Sequence, residues 1–85
     1  MKQTVRFSAW HSELRDLRAK VAIARRIEQA ENGNLGKIRS VGPGVSEMKI
    51  ELGPGYRVYF TVRGREVIIL LAGGDKSTQR ADIRR

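Results

Sequence analysis

Two glycine-containing segments of this chain each end in a cation, and these two cations are well suited to hold a phosphate. Arg57 ends the segment Gly53-Pro54-Gly55-Tyr56-Arg57, and Lys76 ends the segment Gly73-Gly74-Asp75-Lys76. A guanidinium can contact two phosphate oxygens at once, whereas an ammonium acts as a compact point charge. If the chain between the two segments forms a hairpin, both cations lie at the same end of one sheet.

The residues around these segments have the patterns of β-strands. Apolar and polar residues alternate over residues 45–52 and again over residues 56–62, which is typical of half-buried strands. Residues 66–72 are apolar after Glu66, which predicts a strand covered on both faces. Because turns at residues 53–55 and 63–65 separate the three runs, we predict an antiparallel β-meander.

The turn lengths predict which strand residues lie opposite one another. A three-residue turn at residues 53–55 places Glu51 opposite Arg57, and a two-residue turn at Gly64-Arg65 places Arg57 opposite Ala72. Side chains alternate between the faces of a strand, so the register also fixes the faces. The apolar face, which we expect to pack on helices, then carries Met48, Ile50, Leu52, Tyr56, Val58, Phe60, Val62, Val67, Ile69 and Leu71.

The opposite face of the meander is predicted to be open and polar. With Arg57 beside Ala72, Lys76 can reach Arg57 and Tyr59. This face can hold an RNA phosphate, or its charges can pair across strands, each pair contributing roughly 0.2–1 kcal/mol. The sequence leaves both readings open for its side chains, which are Glu47, Lys49, Glu51, Arg57, Tyr59, Thr61 and Arg63.

The N-terminal part of the chain has the periodicity of helices. Residues 4–7 are compatible with a short first strand. After them, apolar residues recur every three or four positions in two stripes of different phase, which predicts a helical hairpin over residues 9–15 and 17–31. The polar segment that begins at Asp75 predicts a short C-terminal helix.

Single residues mark where the predicted helices begin and end. Ser8 and Asp16 are placed to cap the first turns of the two helices, and Gly33 suits the left-handed position that ends the second one. Gly42-Pro43-Gly44 is predicted to be a turn. The fold class is therefore α+β: a short N-terminal strand and a helical hairpin packed on one face of a small antiparallel β-meander, with a short C-terminal helix.

The composition restricts the classes of protein to which the chain can belong. Eighty-five residues are enough for one domain, spanning residues 1–85. Cysteine is absent and His11 is the single histidine, so we expect neither disulfides nor a metal, and no cofactor. Because no apolar run has the length of a signal peptide core or a transmembrane helix, we expect a soluble, cytoplasmic protein without membrane contact.

The charge of the chain indicates an anionic partner. Seventeen Lys and Arg residues stand against nine Asp and Glu residues, for a formal net charge of +8. Such an excess favours binding to a polyanion or to an acidic protein, although a solvated basic surface would have the same composition. The charge alone does not distinguish these cases.

An ordered set of motifs extends over nearly the whole chain. It comprises Trp10, Leu14, Leu17, Arg26, Gly33-Asn34-Leu35-Gly36, Val41-Gly42-Pro43-Gly44-Val45-Ser46-Glu47-Met48-Lys49-Ile50, Gly53-Pro54-Gly55-Tyr56-Arg57-Val58-Tyr59-Phe60, Leu70-Leu71-Ala72-Gly73-Gly74-Asp75-Lys76, Gln79 and Asp82-Ile83. This set resembles the RelE/ParE superfamily, and more narrowly the HigB-like addiction module killer proteins related to phage Gp49.

The resemblance implies a function and its partners. It implies the toxin of a type II toxin–antitoxin system, an endoribonuclease that cleaves mRNA on the ribosome, with contacts to ribosomal RNA. It also implies a cognate helix-turn-helix antitoxin. Two other functions remain open: a ParE-like poison of DNA gyrase that acts by protein–protein contact, and a non-catalytic binding module.

The resemblance also implies which residues do the chemistry. RNA cleavage needs no metal, because the ribose 2′-OH can attack the adjacent phosphate if the protein aligns it and stabilises the developing charge. Arg57 and Lys76 are expected to hold the phosphate, Glu47 or Lys49 to act as the base, and Tyr59 to position a nucleobase or phosphate. The expected RNA-binding residues are Arg57, Lys76, Arg63, Lys37 and Arg39.

Overall fold

The computed structural model describes residues 2–64 and 66–75, without the side chains of Val67 and Ile68. The described residues have the predicted α+β class. Asp75, the first residue of the predicted C-terminal helix, belongs to a strand, and the rest of that helix lies outside the described residues. The elements in chain order are β1 (Lys2–Gln3), α1 (Val5–Ser12), α2 (Leu17–Glu31), β2 (Ile38–Gly42), β3 (Val45–Ile50), β4 (Tyr56–Arg63) and β5 (Glu66–Asp75).

The strands of the described residues form one five-stranded sheet in the order β1-β5-β4-β3-β2. Strands β2 to β5 are antiparallel neighbours, as expected for a meander, and β1 pairs with β5 in parallel. The sequence did not predict β2. It precedes the turn at Pro43-Gly44, where Gly44 has a φ of +70° and lets the chain reverse into β3.

The first helix begins earlier than predicted, which corrects the placement of the N-terminal strand. The strand is Lys2–Gln3, and residues 5–7 already belong to α1. The reason is Thr4: its Oγ1 accepts a hydrogen bond from the Phe7 amide at 3.0 Å and donates one to the Leu71 carbonyl at 2.6 Å. Thr4, and not Ser8, is therefore the N-cap of α1.

The second helix has the predicted bounds and the predicted ends. The Asp16 carboxylate accepts hydrogen bonds from the amides of Arg18 and Ala19, at 3.0 and 3.3 Å, and so caps the first turn. Gly33 follows the helix with a φ of +92°. Because both signals are local, the helix could be delimited from the sequence alone.

The hydrophobic core lies between the two helices and one face of the sheet. Its fully buried large side chains are Phe7, Phe60, Ile23, Met48, Leu70 and Val58. The prediction is confirmed for the side chains of β3 and β4. It is wrong for β5, where Leu70 enters the core in place of Ile69 and Leu71.

Two register shifts in the β4–β5 pair cause this difference. They lie between Tyr59 and Phe60 and between Thr61 and Val62 of β4. Val62 still pairs with Val67, as predicted, but Arg57 lies opposite Gly74 and not opposite Ala72. Each shift leaves one residue of β5 without a direct partner, and such a bulge changes the face on which the following side chains lie.

The β3–β4 hairpin has a longer loop than predicted. Ile50 lies opposite Tyr56 and Lys49 lies opposite Arg57, so the register differs by two residues from the predicted one. The Gly55 amide donates to the Leu52 carbonyl at 3.1 Å, which closes a turn inside the longer loop. Since a shift of two residues keeps the faces of the strand, the polar and apolar faces are those that were expected.

Trp10 of α1 fixes the helix against the end of β5. Its ring lies so close to Gly73 that a Cβ at this position would overlap it. The Trp10 ring also meets Phe7 at a centroid distance of 5.8 Å and Tyr56 at 6.3 Å. The absence of a side chain at Gly73 therefore lets α1 pack on the part of the sheet where β4 begins.

Candidate phosphate-binding site

The strand pairing brings most of the predicted site residues together on the face away from the helices. Arg39 of β2 lies opposite Glu47 of β3, and Glu47 lies opposite Tyr59 of β4. In the next row, Lys49 lies opposite Arg57. These five residues, which we call the polar cluster, occupy two adjacent rows across three strands.

The polar cluster is more buried than the open face that was expected. Glu47, Arg57 and Tyr59 are only 5%, 7% and 3% exposed, respectively. The expectation of an open face is therefore wrong at these three positions. Part of the reason is that the sheet extends further than predicted: the unpredicted strand β2 pairs with β3 along Glu47, and β5 continues to Asp75, past Arg57.

Glu47 lies between two guanidinium groups. Its Oε2 is 3.4 Å from Nη2 of Arg39, and its Oε1 is 3.7 Å from Nε of Arg57. A buried charge requires a partner, because transfer from water to the protein interior is costly. Glu47 thus compensates the buried charge of Arg57 and fixes the side of the guanidinium that faces β3.

Two nitrogen atoms of Arg57 have no hydrogen-bond acceptor in the described part of the chain. Its Nε and Nη1 atoms are buried, and the described part of the chain supplies neither with a hydrogen-bond acceptor, since the contact of Nε with Glu47 is an ion pair longer than a hydrogen bond. Buried donors without acceptors are rare in folded proteins and cost stability. An anion that accepts from these atoms would remove that cost.

A shallow pocket of about 330 Å³ lies at Arg57. Its walls are the hairpin loop at residues 52–55 and the side chains of Lys49, Glu51 and Arg57. Gly55 has a φ of +82°, and a Cβ there would stand 4.0 Å from Nη1 of Arg57. Lys49 is exposed at the pocket and pairs with Glu51 at 3.5 Å. The pocket thus combines a buried guanidinium, an exposed ammonium and a glycine-containing loop, which together suit a phosphate group.

Of the remaining predicted site residues, Arg63 lies away from the polar cluster, Lys37 lies near Lys49, and Lys76 is not among the described residues. Arg63 is six residues from Arg57 on β4, about 20 Å along the strand, and it pairs with Glu66 in the register of the sheet. Lys37 is exposed and precedes β2 at the end of the sheet where Lys49 lies. Lys76 lies outside the described residues, as do Gln79 and Asp82-Ile83.

Sequence reasoning missed the ion pair between Arg39 and Glu47, although it named both residues. The signal was weak, because Arg39 precedes a turn and does not lie in an alternating pattern. It also missed the contact of Arg26 with Leu35: Nη2 of Arg26 donates to the Leu35 carbonyl and so holds the loop between α2 and β2. Burial lowers the pKa of the Arg26 guanidinium from its ordinary value.

Among the described residues, no group of three or more His, Cys, Asp or Glu side chains is arranged to bind a metal ion. Neither α1 nor α2, the helices of residues 2–64 and 66–75, is long and apolar enough to cross a membrane.

The fold and site define a small α+β protein with a buried, partly unsatisfied cation beside a glycine-containing loop. A sequence profile of the phage-derived Gp49-like proteins (DUF891) matches residues 12–85, and the chain belongs to this family. An uncharacterized protein of Haemophilus influenzae is 48% identical over 84 residues, which cover 99% of this chain and 85% of that protein.

Proposed function

We propose that this protein is the toxin of a type II toxin–antitoxin system and that it cleaves mRNA on the ribosome, with Arg57 binding the scissile phosphate. The observation that supports this function most directly is the buried Arg57 guanidinium. Its Nε and Nη1 lack hydrogen-bond acceptors in the described part of the chain, and Arg57 lines a pocket together with Lys49. Membership of the phage-derived Gp49-like family is compatible with such a toxin.

The proposed reaction is an attack of the ribose 2′-oxygen on the adjacent phosphorus. The O2′–P bond forms, the P–O5′ bond breaks, the 2′-OH transfers its proton to a water molecule, and the leaving 5′-oxygen accepts a proton. The products are a 2′,3′-cyclic phosphate and a 5′-OH. Negative charge accumulates on the phosphoryl oxygens in the transition state, and Arg57 would stabilise it because it lies fixed at the pocket before the substrate arrives.

The geometry favours different roles for the two candidate bases. Glu47 is buried and each of its oxygens faces a guanidinium, so we assign it the task of holding Arg57 in place. Lys49 is exposed at the pocket and can approach the substrate. Since an ammonium group only donates protons and hydrogen bonds, Lys49 suits proton donation to the 5′-oxygen better than proton removal.

Tyr59 has a supporting role in this proposal. Its side chain is almost completely buried opposite Glu47, so its ring does not offer a free face on which a nucleobase could stack. We therefore assign Tyr59 to the packing around the Glu47 carboxylate. The proposed partners are a helix-turn-helix antitoxin and the ribosome, for which the net charge of +8 is favourable in contacts with ribosomal RNA.

The test is induced expression followed by mapping of mRNA 5′ ends. Wild-type protein should produce cuts in phase with translation, and Arg57→Ala should abolish them. Arg63→Ala is the matched control, because it removes an exposed arginine from the same strand, about 20 Å away, and should leave the cuts in place.

Three outcomes would contradict the proposal. Undiminished cleavage by a folded Arg57→Ala protein would exclude Arg57 as the phosphate ligand. Arrested cells with DNA damage and intact mRNA would instead indicate a gyrase poison. Unaffected growth with no RNA cleavage would indicate a binding module.

A further inference from the structure

A second and larger concavity lies on the other side of the β3–β4 hairpin. It has a volume of about 770 Å³ and lies between α2, from Leu17 to Gln29, and residues 49–52 of the hairpin. Two apolar side chains of its helical wall are unusually exposed for their type: Leu17 at 72% and Val21 at 52%. Because they are four residues apart, they form one apolar stripe along the helix. We call this concavity the α2 groove.

The charges of the α2 groove are strongly unbalanced. Its lining includes the cations Arg18, Arg25, Arg26 and Lys49 and a single carboxylate, Glu51. Arg26 adds a specific feature, since its Nη1 atom is buried and finds no hydrogen-bond acceptor in the described part of the chain, while Nη2 binds the Leu35 carbonyl. An occupant with both apolar and acidic side chains would match the apolar stripe and the cations together.

We propose that the α2 groove is the docking site for an acidic amphipathic helix of a partner protein. Residues 17–29 of α2 extend over about 18 Å, which corresponds to about 12 residues of a second helix lying alongside. Apolar residues spaced by three and four positions would contact Leu17 and Val21. Glu or Asp residues beside this stripe would reach the arginines of the rim.

Charge argues against the two occupants that this chain could supply itself. A second copy carries a net charge of +8, so its approach to a cationic rim is unfavourable. Residues 76–85 contain four Lys or Arg residues and one Asp, so this segment is also cationic. An acidic partner, unlike either of these, has a charge complementary to that of the cationic rim.

Docking in the α2 groove would also affect the phosphate pocket, because the two concavities share part of their lining. Lys49, Glu51 and Leu52 line both concavities. A carboxylate seated against Lys49 from the groove would neutralise the cation that a phosphate also needs, and the helix would narrow the approach to Arg57. This competition, unlike the docking itself, rests on the function proposed above.

The test starts from a library of random 16-residue peptides displayed on phage and selected on the immobilised full-length protein, with counter-selection on the double variant Leu17→Asp/Val21→Asp. The selected peptides should be rich in Glu and Asp and should carry apolar residues at helical spacing. A labelled peptide of this kind should bind wild-type protein and lose at least tenfold in affinity to Val21→Asp and to Arg25→Glu, measured by fluorescence anisotropy.

Val5→Asp is the matched control, because Val5 is 87% exposed and lies outside the α2 groove. It should bind the peptide like the wild type. Circular dichroism should show that all variants are folded, as expected for changes at exposed positions.

Several results would overturn the proposal. The selected peptides could be basic, or have the alternating pattern of a strand. They could bind the Val21→Asp variant as tightly as the wild type. The wild type could also be a dimer that Val21→Asp dissociates, which would make a second copy the occupant. Competition is tested separately with a short single-stranded RNA. Peptide binding without RNA binding would refute the phosphate pocket and leave the docking site intact, whereas simultaneous binding of both would refute only the competition.

Discussion

The two faces of β3 and β4 bury side chains of opposite character. Met48, Val58 and Phe60 lie on the face covered by helices and are fully buried. Glu47 and Arg57 come from the same strands and are nearly as buried, but they carry charges. Burial of apolar surface stabilises a fold by about 25 cal/mol per Å², whereas a buried ion pair is often no better than apolar residues of the same volume. One face therefore maintains the fold, and the other keeps charged groups buried at some expense of stability.

The largest expected effect of a single change is on the apolar face. Phe60→Ala should lower the free energy of unfolding by about 3–5 kcal/mol, because it removes a fully buried ring from the centre of the core. In a domain of this size such a loss is a large part of the total stability. Urea unfolding followed by circular dichroism measures it. A loss below about 1 kcal/mol would contradict the assignment of Phe60 to the core.

A comparable effect is expected when one charge is removed from the polar face. Glu47→Ala should lower the free energy of unfolding by about 3 kcal/mol, because Arg57 would remain buried without its partner. Glu51→Ala is the control: it removes an exposed carboxylate from a surface pair with Lys49 and should change stability by less than about 0.5 kcal/mol. Equal losses in the two variants would show that the burial of Glu47 has no energetic importance.

The sharpest test of the comparison comes from removing both charges together, which should not lower the stability. Glu47→Met/Arg57→Met should unfold at the same denaturant concentration as the wild type or at a higher one. Its free energy of unfolding should be unchanged or higher by about 1–4 kcal/mol. The same protein should no longer bind single-stranded RNA. If it is instead strongly destabilised, the polar face contributes to folding as much as the apolar face does, and the distinction between them fails.

Local signals explain the parts of the fold that could be predicted. The bounds of α2 follow from the Asp16 cap and from Gly33, each of which acts within a few residues. The faces of β3 and β4 follow from alternation, which survives a shift of two residues. The inward position of Leu70 could not be predicted, because the register shifts in the β4–β5 pair have no signature in the sequence. They depend on pairing between distant residues.

For the candidate site, the sequence predicted that four of the residues share a face, and it did not predict their burial. Alternation placed Glu47, Lys49, Arg57 and Tyr59 on one face, and the structure confirms that they are neighbours. Their burial depends on the pairing of β2 with β3 and on the extension of β5 to Asp75. The loop of the β3–β4 hairpin is also longer than its glycines suggested. Each of these features is a long-range or geometric property that residue types alone do not determine.

The packing of Trp10 on Gly73 gives this protein an intrinsic optical reporter. Trp10 is the single tryptophan of the chain, so all of its indole emission comes from one place. The ring lies against Gly73 near the end of β5, and the next residue, Gly74, pairs with Arg57 in the sheet. The emission wavelength and lifetime of Trp10 should therefore respond when an anion occupies the pocket, so that binding can be titrated on the unlabelled wild-type protein.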